Sequence, residues 1–138
     1  MKYETCFGTI PIRKEKEKWQ VFLLLHKKGS FWGFPKGHSN GKEEPFLAAT
    51  RELKEETNLE ITKKWPFSFN EEYQFERKKE KIQKKVIYFL VEAQGKILLQ
   101  KEEILDGKWV DIDKASIVIT FPQSQKLMTS VAKILEKE

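Results

Sequence analysis

Three observations predict an α+β fold for this chain. Phe67, Phe69, Tyr73 and Phe75 alternate with Ser68, Asn70, Gln74 and Glu76, the period of two that marks a strand with one wet face. Val86–Ala93 is apolar on both faces, as a central strand is. Phe46–Thr57 contains no Gly or Pro and is rich in Ala, Leu, Glu and Lys, which favours a helix.

The elements follow in order. Tyr3–Ile12 reads as a strand in which Gly8 admits close approach of another backbone. Arg13–Lys18 is a charged turn, Trp19–His26 a buried strand and Lys27–Ser30 a second turn. The helix follows, with Pro45 at its first position and Asn58 as the left-handed residue past its end. Ala49 and Leu53, four apart, face the core. After the alternating strand, Arg77–Lys85 reads as a basic hairpin connection leading into the central strand. Ile97–Leu99 and Lys108–Ile112 are shorter strands. Leu127, Val131, Ile134 and Leu135 mark an amphipathic closing helix.

Composition narrows the class. With 39% hydrophobic and 12% aromatic residues the chain is globular, and its length suits one domain over residues 1–138. Cys6 stands alone, so no internal disulfide forms, and a reducing cytoplasm is the expected setting. The start, Met1-Lys2-Tyr3-Glu4, carries no apolar leader, and Val21–Leu25 and Val86–Val91 are too short to cross a membrane. A net charge of +5 suits an anionic ligand, and no partner protein is indicated.

The chemistry concentrates in Gly37–Leu59, GHSNGKEEPFLAATRELKEETNL. Glu52, Glu55 and Glu56 lie three and four apart on the helix, so their carboxylates converge despite their repulsion. A divalent cation relieves that repulsion, and hard oxygen donors without Cys or His favour Mg²⁺ or Mn²⁺ over zinc. Arg51 offers a planar fork that can hold a carboxylate such as Glu43. Glu55-Glu56 alone would read as a solvated helix face. The full spacing arises by chance in such a chain with a probability on the order of one in a million. Before the helix, Gly37 leaves the backbone bare, Lys36 can reach a phosphate oxygen, and His38 can donate to a phosphate or hold a water.

This stretch resembles the signature of the Nudix hydrolases, GX5EX7REUXEEXGU with U aliphatic; only Asn58, in place of the second Gly, departs from it. Both residues tolerate positive φ. The resemblance implies an α/β/α sandwich around a mixed sheet, a catalytic loop-helix-loop, and hydrolysis of a nucleoside diphosphate linked to another group. Pro35-Lys36-Gly37-His38 resembles the "PKGH" entry of the asymmetric bis(5′-nucleosyl)-tetraphosphatases within that family. Lys84–Leu90 looks like their "KxVxYFL" strand, and Glu103 like their acidic loop residue ahead of a Trp strand.

The resemblance implies metal ligation by Glu52, Glu55, Glu56, Glu103 and the Lys36 carbonyl, with Gly37, Glu43 and Arg51 in support. A carboxylate then accepts the proton of the attacking water; Glu103 is favoured as that base, and Glu52 is its rival. Lys36, His38 and Lys84 would spread along a tetraphosphate and stabilise charge in the transition state. Tyr73, Tyr88 and Phe121 are candidates to stack an adenine, and each is equally consistent with plain core, as are Trp32 and Phe34. Three functions compete. The first is asymmetric cleavage of a dinucleoside polyphosphate. The second is another Nudix activity such as RNA 5′-pyrophosphohydrolysis, which the basic run Arg77–Lys85 favours. The third is a non-catalytic nucleotide-binding module, against which the intact set of repelling carboxylates argues.

Overall fold

A computed structural model describes all residues, Met1–Glu138. The strands are β1 (Lys2–Glu15), β2 (Lys18–His26), β3 (Phe31–Gly33), β4 (Lys36–His38), β5 (Glu60–Arg77), β6 (Glu80–Gln94) and β7 (Ile104–Asp111). The helices are α1 (Pro45–Thr57), α2 (Ile112–Val118) and α3 (Pro122–Leu135). The seven strands form one mixed sheet in the order β3-β2-β1-β6-β5, with β4 on β1 and β7 on β2. β1 and β6 run parallel, and every other pairing is antiparallel.

Alternation along β2 divides the core between the faces of the sheet. Phe22 and Leu24 join Leu53 and Leu59 on the α1 side. Val21 and Leu23 join Ala115, Met128, Val131 and Leu135 on the side of α2 and α3. The expected α/β/α sandwich is therefore observed. No helix is long and apolar enough to cross a membrane.

α1 forms as its local signals predict. Pro45 opens it, Phe46 and Leu47 amides donate to the Glu44 carboxylate at 3.2 Å, and Asn58 ends it in the left-handed region at φ 71°. Several expected boundaries are corrected. Strand β1 runs to Glu15, so the turn is only Lys16-Glu17, and Arg77–Lys85 holds only a Lys78-Lys79 turn, Glu80–Lys85 being strand. All four turn residues have φ between 50° and 68°, the mirror-image turn that the right-handed strand twist prefers. Strand β5 starts at Glu60, earlier than the alternation suggests, and is interrupted around Pro66, which cannot donate to a ladder. Phe67 lies in that irregularity and is exposed.

Ile97–Leu99 is not a strand. Its segment is held instead by the carbonyls that α1 leaves free at its C-terminal end: Leu98 N donates to Thr57 O and Gln100 N to Glu56 O, both at 3.0 Å. Ile112 opens the unexpected short helix α2 instead of closing a strand.

Candidate active site

The last two turns of α1 meet strand β4 and the loop before β7. Arg51 organises this meeting. Its Nε and Nη2 donate to the two oxygens of Glu43 at 3.0 and 3.1 Å. Its Nη1 donates to Glu52 and Glu55, both at 3.1 Å, and Nη2 also reaches the His38 carbonyl at 2.8 Å. One guanidinium thus ties the loop after β4 to three carboxylates, a task that needs its rigid fork.

Glu52 lies against Gly37. A Cβ at Gly37 would stand 2.1 to 2.4 Å from the carboxyl atoms of Glu52, so the bare backbone there is a seat for that group. Glu56 is 4% exposed and accepts the Lys36 amide at 3.2 Å. Burial, then the Glu52 charge and the nearby Glu103, push its pKa up to about 9. Burial likewise raises Glu52, opposed by Arg51 and reinforced by Glu55 and Glu103. Glu103 arrives by tertiary pairing: its amide donates to Gln100 Oε1 at 2.9 Å and its carbonyl accepts from the Lys27 amide at 2.8 Å.

Two features depart from the expected four-carboxylate cluster. No three acidic, His or Cys side chains are gathered closely enough to hold an ion, and Glu55 is exposed and turned to Arg51. The donor chemistry nevertheless fits a hard divalent cation. Glu52 at Gly37 and Glu56 at the Lys36 amide offer oxygen-only donors, and the buried Glu56 has a single protein donor and no paired cation.

The predicted substrate residues lie mostly on the opposite face, beside the N-terminus of α3. Gly8 admits β4 closely, since a Cβ there would meet Pro35 O at 2.3 Å and Lys36 Cβ at 2.8 Å. The Lys36 ammonium does not lie over the carboxylates. It accompanies Tyr73, whose hydroxyl is 3.2 Å away, and stands 5.5 Å from the Phe31 ring centroid. Burial lowers its pKa, against the pull of Cys6, Glu71 and Glu56. Phe31 stacks on His26 at 4.6 Å and meets Phe121 at 5.0 Å. Phe121 is 47% exposed and Tyr73 half-buried, so each leaves part of its ring accessible.

Lys84 pairs across strands with Tyr73 and Glu4. His38 is exposed, with Nε2 3.6 Å from Glu4, whose other oxygen holds Arg77. Tyr88 is a correction: it is 2% exposed and packs edge-on against Phe34, so it belongs to the core and cannot stack a base. Phe34 is core as well, and Trp32 packs against that core with Lys108 over its ring.

Sequence reasoning missed Phe31, His26 and Glu71. Burial, ahead of the Lys36 charge, lowers the pKa of His26 to about 4, so its neutral ring bonds the Phe34 carbonyl at 3.1 Å. Glu71 is buried and accepts from Ser124 Oγ at 2.7 Å. Its position in the alternating strand was the available clue, since it falls on the inward parity of Phe69 and Tyr73.

The NUDIX domain family model matches residues 2–131. Among solved structures, a binary complex of Ap4A hydrolase from C. elegans is similar at 22% identity and a TM-score of 0.76, covering 98% of this chain and 99% of that one. A second structure of the C. elegans enzyme is 24% identical with a TM-score of 0.76, covering 96% and 98%. The NUDIX domain of NrtR from Shewanella oneidensis, complexed with ADP ribose, is 13% identical with a TM-score of 0.73, covering 98% and 90%. At these identities the likeness speaks for the fold.

Proposed function

The chain belongs to the NUDIX family of pyrophosphohydrolases, and we propose that it cleaves dinucleoside polyphosphates asymmetrically, converting diadenosine tetraphosphate and water to ATP and AMP. The observation that carries this reading is the pairing of an Arg51-organised carboxylate site with an aromatic slot carrying Lys36 on the other side of β4. The likeness to the two C. elegans Ap4A hydrolase structures supports it. We take residues 1–138 as one such domain, working in the cytoplasm.

Enzymes of this family generally need a divalent metal. Glu52, Glu56 and the Lys36 carbonyl would hold Mg²⁺ or Mn²⁺, with Glu55 and Glu103 completing sites for further ions. When bound, the cation neutralises phosphate oxygens and lowers the pKa of a coordinated water. Arg51 keeps Glu52 in place on Gly37. Glu103, on the turn before β7, takes the proton of the attacking water, and Glu52 is its rival. Water's oxygen bonds to the phosphorus of the departing AMP as the bridging P–O bond breaks. Lys84 and His38 face the polyphosphate, Lys36 lies where phosphate meets base, and Tyr73 and Phe121 stack the base.

The turn Lys78-Lys79 with Lys81 and Lys85 favours a second reading, removal of pyrophosphate from an RNA 5′ end. Turnover of diadenosine tetraphosphate and of a 5′-triphosphorylated oligonucleotide, compared with and without Mg²⁺, separates the readings. The proposal requires the dinucleotide to have the higher kcat/KM. A preference for the oligonucleotide selects the second reading, and nucleotide binding without turnover of either selects a binding-only module.

A further inference from the structure

Glu71 is a carboxylate in an expensive place. It is 7% exposed, and a buried carboxylate is destabilising unless it is hydrogen-bonded or opposed by a cation. One hydrogen bond reaches it, from Ser124 Oγ at 2.7 Å. Ser124 is itself buried, on the first turn of α3. Burial raises the Glu71 pKa, and the Ser124 hydrogen bond and then the Lys36 charge oppose that rise.

Lys36 shows the complementary need. Its ammonium has one hydrogen bond, to the neutral Tyr73 hydroxyl, and two aromatic rings for neighbours. A flexible four-carbon stem would let a desolvated ammonium swing out to water. The register places the two groups on one face. Glu71 pairs with Val86, Val86 with Cys6, and Cys6 with His38; one step along the same face, Gly8 pairs with Lys36. No direct ion pair joins them; the two charges share this face at longer range.

We infer that Glu71, locked by Ser124, is a positioning residue that holds the Lys36 ammonium in the aromatic slot, ready for the substrate. This rests on the reading of Lys36 as a substrate-binding group. Ser124, Glu71, Lys36 and Tyr73 then form one polar line from α3 across β5 to β4. Loss of either charge removes the benefit of the other, which a merely structural carboxylate would not show.

The test is a double-mutant cycle of Glu71→Gln, Lys36→Met and the double variant. ADP affinity by calorimetry and the urea midpoint are measured for each protein. Glu71→Gln weakens ADP binding about 5- to 10-fold in the parent and by less than twofold when Lys36 is Met, because coupled charges are not additive. The urea midpoints show the same coupling, and they alone decide if ADP binds none of the four. Equal effects of Glu71→Gln in both backgrounds, or no effect in the parent, overturn the inference. Hydrolysis of diadenosine tetraphosphate is assayed separately, so failure of the proposed activity is distinguishable from failure of the coupling.

Discussion

Replacing Gly37 with Ala separates catalysis from stability. Gly37 is not among the residues with positive φ, so its backbone accepts Ala. The obstacle is the Glu52 carboxylate, whose carbon would lie 2.1 Å from the new methyl where ordinary contact begins at 3.4 Å. The carboxylate must retreat by about 1.3 Å. It is the far end of a flexible side chain, and Arg51 keeps Glu43, Glu55 and the His38 carbonyl after losing it. The cost to stability is about 1 kcal/mol, a fall in Tm of about 3 °C. The cost to catalysis is larger, because a misplacement of about 1 Å lowers rate by about 100-fold, or roughly 2.7 kcal/mol of barrier. Steady-state kinetics over a Mg²⁺ titration, with a melting curve, reads both quantities. A kcat within threefold of the parent refutes the seat assigned to Glu52. A collapsed fold refutes the claim that only a flexible tip fills the space.

Other substitutions probe the remaining parts. Glu56 keeps its proton in the fold up to about pH 9, whereas in the unfolded chain it ionises near about pH 4.3. Between these values the fold binds more protons than the unfolded chain, so Glu56 makes metal-free stability fall as pH rises. Glu56→Gln therefore raises the metal-free Tm at pH 8 by at least about 3 °C, loses that advantage at pH 4, and abolishes turnover. Mg²⁺ raises the Tm of the parent and leaves the variant nearly unmoved, as scanning calorimetry with and without the ion reads directly. Glu103→Gln lowers kcat at least about 100-fold with KM within threefold, and an unchanged pH–rate profile transfers the base role to Glu52. Arg51→Lys cannot serve Glu43, Glu52, Glu55 and a carbonyl at once, so half-saturating Mg²⁺ rises about 10-fold in a titration of activity.

Helix α1 was legible almost residue by residue because its determinants are local: Pro45 at one end, Asn58 at the other, and apolar residues at helical spacing. The two hairpins were not. Their left-handed turn residues are Lys16-Glu17 and Lys78-Lys79, where Asn-Gly or Asp-Gly would announce such a turn, so charge suggested long loops. Ile97–Leu99 misled for the opposite reason. It is apolar like a strand, yet its backbone pairs with the end of α1, a contact encoded nowhere near it in sequence.

The candidate site divides along the same line. The row Arg51, Glu52, Glu55, Glu56 follows from helical spacing, and the Arg51 fork reaches Glu43 ahead of the helix. Which aromatics face the slot depends on sheet register. Tyr73 and Tyr88 look equivalent in sequence, yet one is half-buried at the slot and the other is sealed against Phe34 and Gly8. For Glu71 the parity of the alternating strand was the only local sign of burial, and the partner that satisfies it, Ser124, lies 53 residues away.

The central claim is asymmetric cleavage, and product analysis after hydrolysis of diadenosine tetraphosphate with Mg²⁺ in ¹⁸O-enriched water tests it most directly. ATP and AMP are expected in equal amounts, with the label in AMP. Two molecules of ADP, or label in ATP, would contradict it.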